Sequence, residues 1–109
     1  MGVGRLKVVY QVLIVAKSEQ SAEKLVKWLN EEHVDDLLKV PGCLSGQVTN
    51  IASLSYECRY IFENSLALQV YYDKYAVEMR AKAQAIFEPG ELEVNRCEQQ
   101  IILEKHNGI

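Results

Sequence analysis

Alternation and periodicity divide the chain into six segments. Residues 5–16 read RLKVVYQVLIVA, rich in β-branched side chains and free of Gly and Pro, which predicts a strand covered on both faces. Val8, Tyr10, Val12, Ile14 and Ala16 share one face, and Val9, Gln11, Leu13 and Val15 the other. Ser18 suits a helix N-cap, with Glu19 and Glu23 following in the first turn, where they complement the helix dipole. Helical spacing then runs to about Val40 and stops at Pro41-Gly42. Residues 43–52 and 56–63 predict two strands joined at Ser53-Leu54-Ser55. Asn64 or Ser65 caps a second, long helix reaching Phe87. Glu88-Pro89-Gly90-Glu91 makes a turn, residues 92–104 predict the last strand, and a frayed tail follows from His106.

The order β-α-β-β-α-β predicts an α+β, ferredoxin-like domain over residues 1–109, with an ordered core over 5–104. Its four-stranded antiparallel sheet carries two helices on one face. The other face is then bare in a monomer, yet neither face of the first strand is polar enough to sit in water. A second copy of the chain is expected to cover it.

At 100° per residue, Ala22, Leu25, Val26, Leu29 and Leu37 of the first helix fall on one stripe. His33 projects to its middle and Asp36 to its edge, while Trp28 lies at the other flank. His33 reads either as a core histidine or as an acid-base or ligand group in a cavity between helix and sheet, oriented by Asp36. The second helix places Leu68, Tyr72, Tyr75, Met79, Ala83 and Ile86 inward, with Tyr71 at the border and Leu66, Val70 and Val77 outward. Buried phenols need partners, so at least one of these tyrosines is expected to face a cavity, water or a ligand. Arg80 sits between the two helix faces. On the last strand, Arg96 shares a face with Glu98, either as an ion pair at a dimer seam or as a contact for an anionic ligand.

Composition narrows the function classes. The chain has 109 residues, 49% hydrophobic, with 12 Lys and Arg against 15 Asp and Glu and a net charge of −3. That length suits one core. A mildly acidic chain lacks the clustered cations of a nucleic-acid binder. No apolar run reaches the roughly 20 residues that span a bilayer. The first residues do not read as a secretion leader, and Leu6 stands where an acylation signal at Gly2 wants Ser or Thr. Cys43, Cys58 and Cys97 are odd in number and widely spaced, which reads as buried free thiols in a cytoplasmic protein rather than a metal or disulfide site. No nucleophile–base pair, phosphate-binding Gly loop or acidic metal cluster is present, so no cofactor or metal is expected.

Trp28-Leu29-Asn30-Glu31-Glu32-His33-Val34 resembles a tryptophan-to-histidine segment of a small family of unknown function. Tyr60-Ile61-Phe62, Tyr75, Met79-Arg80, Phe87 and the strand around Arg96 extend the likeness over nearly the whole chain. The family lies within the dimeric α/β-barrel superfamily of ferredoxin-like proteins. The resemblance implies a homodimer packed through its sheets, and shared positions at Trp28, His33, Tyr60, Tyr75, Arg80 and Arg96. Superfamily members include cofactor-independent monooxygenases, isomerases, haem-degrading enzymes and sensing domains. The haem enzymes carry their ligating histidine later in the chain than His33. The expected function is a homodimer that binds a small molecule or a partner, with Trp28, Tyr60, Tyr72, Tyr75, Arg80 and Arg96 as ligand contacts. The alternative is a cofactor-independent monooxygenase or isomerase using His33, with Asp36 as its orienting group.

Overall fold

The computed structural model describes residues 5–108, and the readings that fall on residues 1–4 and 109 lie outside them. Four strands form one antiparallel sheet in the order β2-β3-β1-β4: β1 is Val8–Ala16, β2 Cys43–Ala52, β3 Ser55–Phe62 and β4 Leu92–Gln100. The architecture is the expected ferredoxin-like α+β fold. Two strands are shorter than the sequence pattern predicts. Val8 pairs with both Phe62 and Gln100, so the ladder ends there on all three strands. Beyond it, the Ile101 amide still donates to the Lys7 carbonyl at 2.9 Å. Residues 101–108 otherwise run without strand geometry, leaving Ile102 and Leu103 exposed.

The first helical arm covers residues 19–38 in three pieces: α1 (Glu19–Trp28), a π turn (Leu29–His33) and α2 (Val34–Leu38). Ser18 caps it, its hydroxyl accepting from the Ser21 amide at 3.1 Å. The second arm is α3 (Ser65–Lys74) and α4 (Ala76–Ile86), begun by Asn64 accepting from the Ala67 amide at 2.8 Å. It is not one long helix. Tyr75 leaves helical geometry at φ −122°, and the break resets the inward face. Ala67, Leu68 and Tyr71 point inward before it, and Ala76 and Met79 after it. Tyr71, assigned to the border by unbroken helical spacing, is therefore buried, while Tyr72 and Tyr75 are only half-buried. On the first arm the expected stripe holds at Ala22, Leu25, Leu29 and Leu37, but Val26 is exposed and Trp28 is buried.

The core lies between the helices and one sheet face. Leu25, Leu29, Leu37 and Leu68 meet Cys58, Tyr60 and Phe62 there, all essentially without solvent contact. Gly42, at φ +85°, makes the turn from the first arm into β2, and a Cβ added there would lie 2.5 Å from the Ala67 Cβ. Gly is thus required twice over at this position, for its backbone angle and for its lack of a side chain.

The opposite sheet face carries no helix. Register places Gln11, Arg59 and Gln47 in one row and Leu13, Glu57 and Thr49 in the next. Gln11 Nε2 donates to Glu57, whose other oxygen accepts from Thr49 at 3.4 Å. Val15 is exposed, Leu13 and Ile61 are half-buried, and Val9 is buried. The three cysteines are free, but only Cys58 is fully buried. Cys97 lies exposed on the uncovered face of β4, contrary to the expectation that all three thiols are buried.

Candidate functional site

The π turn is the local event that builds the site. In an α-helix, residues five apart point about 140° away from each other, so Trp28 and His33 should not meet. Here the Val34 amide reaches back to the Leu29 carbonyl, an i→i+5 bond that widens the turn. As a result the Trp28 and His33 rings stack at 4.3 Å with 17° between their planes. Phe87 meets the other ring of the pair, its centroid 5.6 Å from Trp28.

This stack forms one wall of a cavity of about 330 Å³ between the helices and the sheet. Tyr10, Val12 and Ile14 of β1, Cys58 and Tyr60 of β3, and Leu92, Val94 and Arg96 of β4 line its sheet side. Tyr71, Met79, Arg80, Ala83 and Gln84 complete it from the second arm. Burial separates its floor from its rim. Tyr10, Trp28, Cys58, Tyr60, Tyr71 and Met79 are buried, whereas Arg80, Gln84 and Arg96 are exposed.

Two polar atoms of residues around this cavity are buried and make no hydrogen bond of ordinary geometry: the Tyr60 hydroxyl, whose neighbour is the Cys58 thiol, and His33 Nδ1. Buried polar groups are nearly always paired, so both are anomalies in the protein alone. Burial lowers the His33 pKa to about 4; the charge of Asp36 opposes the shift, and Lys82 and Arg96 add to it. The imidazole is therefore neutral near pH 7. Burial likewise raises the Tyr60 and Tyr71 hydroxyls above the ordinary phenol range and pushes the Cys58 thiol up to about 11. Cys58 is a protonated wall residue, not a nucleophile.

The rim is cationic. Arg96 Nε donates to the Tyr10 hydroxyl at 3.1 Å, which fixes the guanidinium over the cavity. Arg80 and Arg96 both line the cavity, and both charges oppose the upward shift of the Tyr71 hydroxyl. Neither pairs with a carboxylate among the described residues. Within the chain, no Arg96–Glu98 ion pair forms among the described residues. Side chains two apart on a strand share a face but are separated by a full pleat, and Glu98 instead faces Tyr72, whose hydroxyl burial and the Glu98 charge both push up.

Trp28, His33, Tyr60, Arg80 and Arg96 are thus brought together. Tyr72 packs edge-on to Tyr10 at 5.7 Å, and Tyr75 sits at the helix break; neither lines the cavity. Asp36 does not orient His33. Its carboxylate takes Lys82 Nζ at 3.1 Å, because Lys82 of α4 lies across the groove from α2. Tyr10 and Tyr71 are cavity residues that the sequence reading did not assign. Strand alternation grouped Tyr10 with Val8, Val12 and Ile14, but its link to Arg96 depends on the β1–β4 register.

A wider groove of about 600 Å³ runs between the first arm and β2, lined by Val26, Leu29, Val34, Val48 and Tyr56 among others. It contains neither unpartnered buried atom. Among the described residues no cluster of His, Cys, Asp and Glu could hold a metal ion, and no helix is long and apolar enough to cross a membrane.

A family profile described as a domain of unknown function, DUF4286, matches residues 7–97. No curated protein matches the sequence. Solved structures share the fold. A dimeric ferredoxin-like protein from an uncultured marine organism superposes with a TM-score of 0.71 at 8% identity, over 92% of this chain and 99% of its own. The haem-degrader MhuD from Mycobacterium tuberculosis gives 0.70 at 19% identity, over 91% and 99%. A monooxygenase from Streptomyces coelicolor, solved with nanaomycin D, gives 0.63 at 18%, over 94% and 95%. At such identities the likeness establishes the fold alone.

Proposed function

The chain belongs to the DUF4286 family, and we propose that within it this protein is a homodimer that binds a small molecule in the cavity between helices and sheet. The observation that carries this reading is the pair of buried atoms without an ordinary hydrogen bond, Tyr60 Oη and His33 Nδ1, on residues lining a cavity that is otherwise mainly apolar and aromatic below the rim residues Arg80, Gln84 and Arg96. An apolar pocket with a few convergent polar groups is the usual form of a small-molecule site.

The homodimer reading rests on the helix-free sheet face and on the dimeric assembly of a protein with the same fold. A cytoplasmic location accords with three free thiols.

The binding reading is tested by following the Trp28 indole N–H resonance while one- and two-ring compounds are added. Trp28 is the sole tryptophan and lines the cavity. Saturable shifts are expected, and Ala83→Phe, which fills the cavity from α4, should remove them. Shifts that persist in Ala83→Phe would place the ligand elsewhere.

Cofactor-independent oxygenation or isomerisation is the second reading, favoured by a neutral imidazole in an enclosed apolar setting. Two features weigh against it. A pKa near 4 makes His33 a weak base, and Asp36 is engaged by Lys82 rather than by the ring. Under this reading His33→Ala abolishes turnover of an electron-rich phenol without loss of fold. Turnover that survives the substitution removes His33 from the chemistry.

A further inference from the structure

We infer that the cavity ligand is a small, planar aromatic acid, its carboxylate held by Arg96 and Arg80 at the rim and a hydroxyl or keto oxygen at the other end meeting Tyr60 and His33. This deepens the binding reading above and rests on it.

The argument begins at the rim. Arg96 and Arg80 stand on different elements, β4 and α4, yet both line the same cavity. Two like charges at one cavity rim attract an anion. The protein supplies no such anion: among the described residues every carboxylate in an ion pair is taken by Lys or His. Tyr10 occupies Arg96 Nε and leaves the two terminal nitrogens as a fork matching a carboxylate. Glu98, the nearest acid on the same strand face, is turned to Tyr72.

The walls fix the body of the ligand. Trp28, Tyr10, Tyr60 and Tyr71 are aromatic, and Val12, Ile14, Met79 and Val94 aliphatic. Rings stack on such surfaces with little loss of freedom. About 330 Å³ lies at the small end of ligand sites, so a body of one or two rings fits and a large polycycle does not. At the floor, Tyr60 can donate, and neutral His33 Nδ1 accepts from a hydroxyl in one tautomer or donates to a carbonyl in the other.

The test titrates the protein with 6-hydroxy-2-naphthoate, its uncharged methyl ester and 2-(aminomethyl)naphthalene. Affinity is measured by calorimetry and location by the Trp28 indole resonance. The acid should bind about tenfold or more tightly than the ester, as expected when one charge-assisted contact is lost, and the amine should bind worst. Arg96→Gln and Arg80→Gln should each weaken the acid by about tenfold while leaving the ester unchanged. Both side chains are exposed, so the fold survives either change. Equal affinity for acid and ester, or acid binding indifferent to both substitutions, overturns the aromatic-acid assignment while cavity binding stands. Failure of all three probes to move the Trp28 resonance overturns the assignment and the binding reading together.

Discussion

Leaving a phenol hydroxyl buried without a hydrogen bond costs about 1–3 kcal/mol, and Tyr60 bears that cost in the protein alone. Tyr60→Phe should therefore raise the stability of the ligand-free protein by about 1 kcal/mol in denaturant titration, while weakening any ligand whose oxygen meets that hydroxyl. An unchanged or lower midpoint would mean that the hydroxyl already has a partner. His33 makes a parallel statement about pH. Burial brings its folded pKa to about 4 from the ordinary histidine value of 6.5, so the unfolded chain takes up the proton first as pH falls. The His33 contribution is complete above about pH 6.5 and is lost progressively down to about pH 4. In NMR titration the His33 ring should stay neutral until near pH 4, and His33→Gln should flatten stability between those limits. The sequence singled out both residues, but their missing partners could not be read from it. An unsatisfied atom is a fact about everything packed around it.

At the scale of elements, the caps and the strand alternation were legible because they depend on neighbours within a few residues. The π turn was not. Leu29–His33 holds ordinary helix formers, and the extra residue is accommodated because it seats Trp28 and His33 against the sheet. The break at Tyr75 carries no Gly or Pro signal either, and it moved Tyr71 into the core at the expense of Tyr75. A third feature, the Glu91 clamp, joins the β4 turn to α1. Its carboxylate accepts from Lys24 at 2.8 Å, from Ser21 at 2.8 Å and from the Glu88 amide at 2.9 Å. Lys24 also bonds the Ile86 carbonyl and covers the Phe87 ring. Lys24, the Glu88 amide and Ser21 together lower the Glu91 pKa to about 2 from 4.5. The clamp is thus complete above about pH 4.5 and is lost as pH falls toward 2. Glu91→Gln should lower Tm at pH 7 by several degrees, and the gap from the parent should close in the acid range. A constant gap at all pH values would mean that the carboxylate charge is not what holds the turn.

At the scale of the molecule, the uncovered sheet face asks for a partner. If a second copy covers it, sedimentation should give twice the 12.4 kDa chain mass. Leu13→Glu, at the centre of that face beside Glu57, should then yield a folded monomer by placing like charges in the seam. A monomer in the parent protein would leave the face to some other occupant. The sequence alone determined the fold class, the order of elements and which strand residues share a face, because alternation and helical period are properties of local backbone geometry. It also picked out five of the residues around the cavity. Only the tertiary structure decided that they meet, that Asp36 belongs to Lys82, that Arg96 leans on Tyr10 rather than Glu98, and that Tyr10 and Tyr71 join them. Those pairings come from strand register and from two irregular helical turns. Both are settled by packing between segments far apart in the chain, where no local pattern reaches.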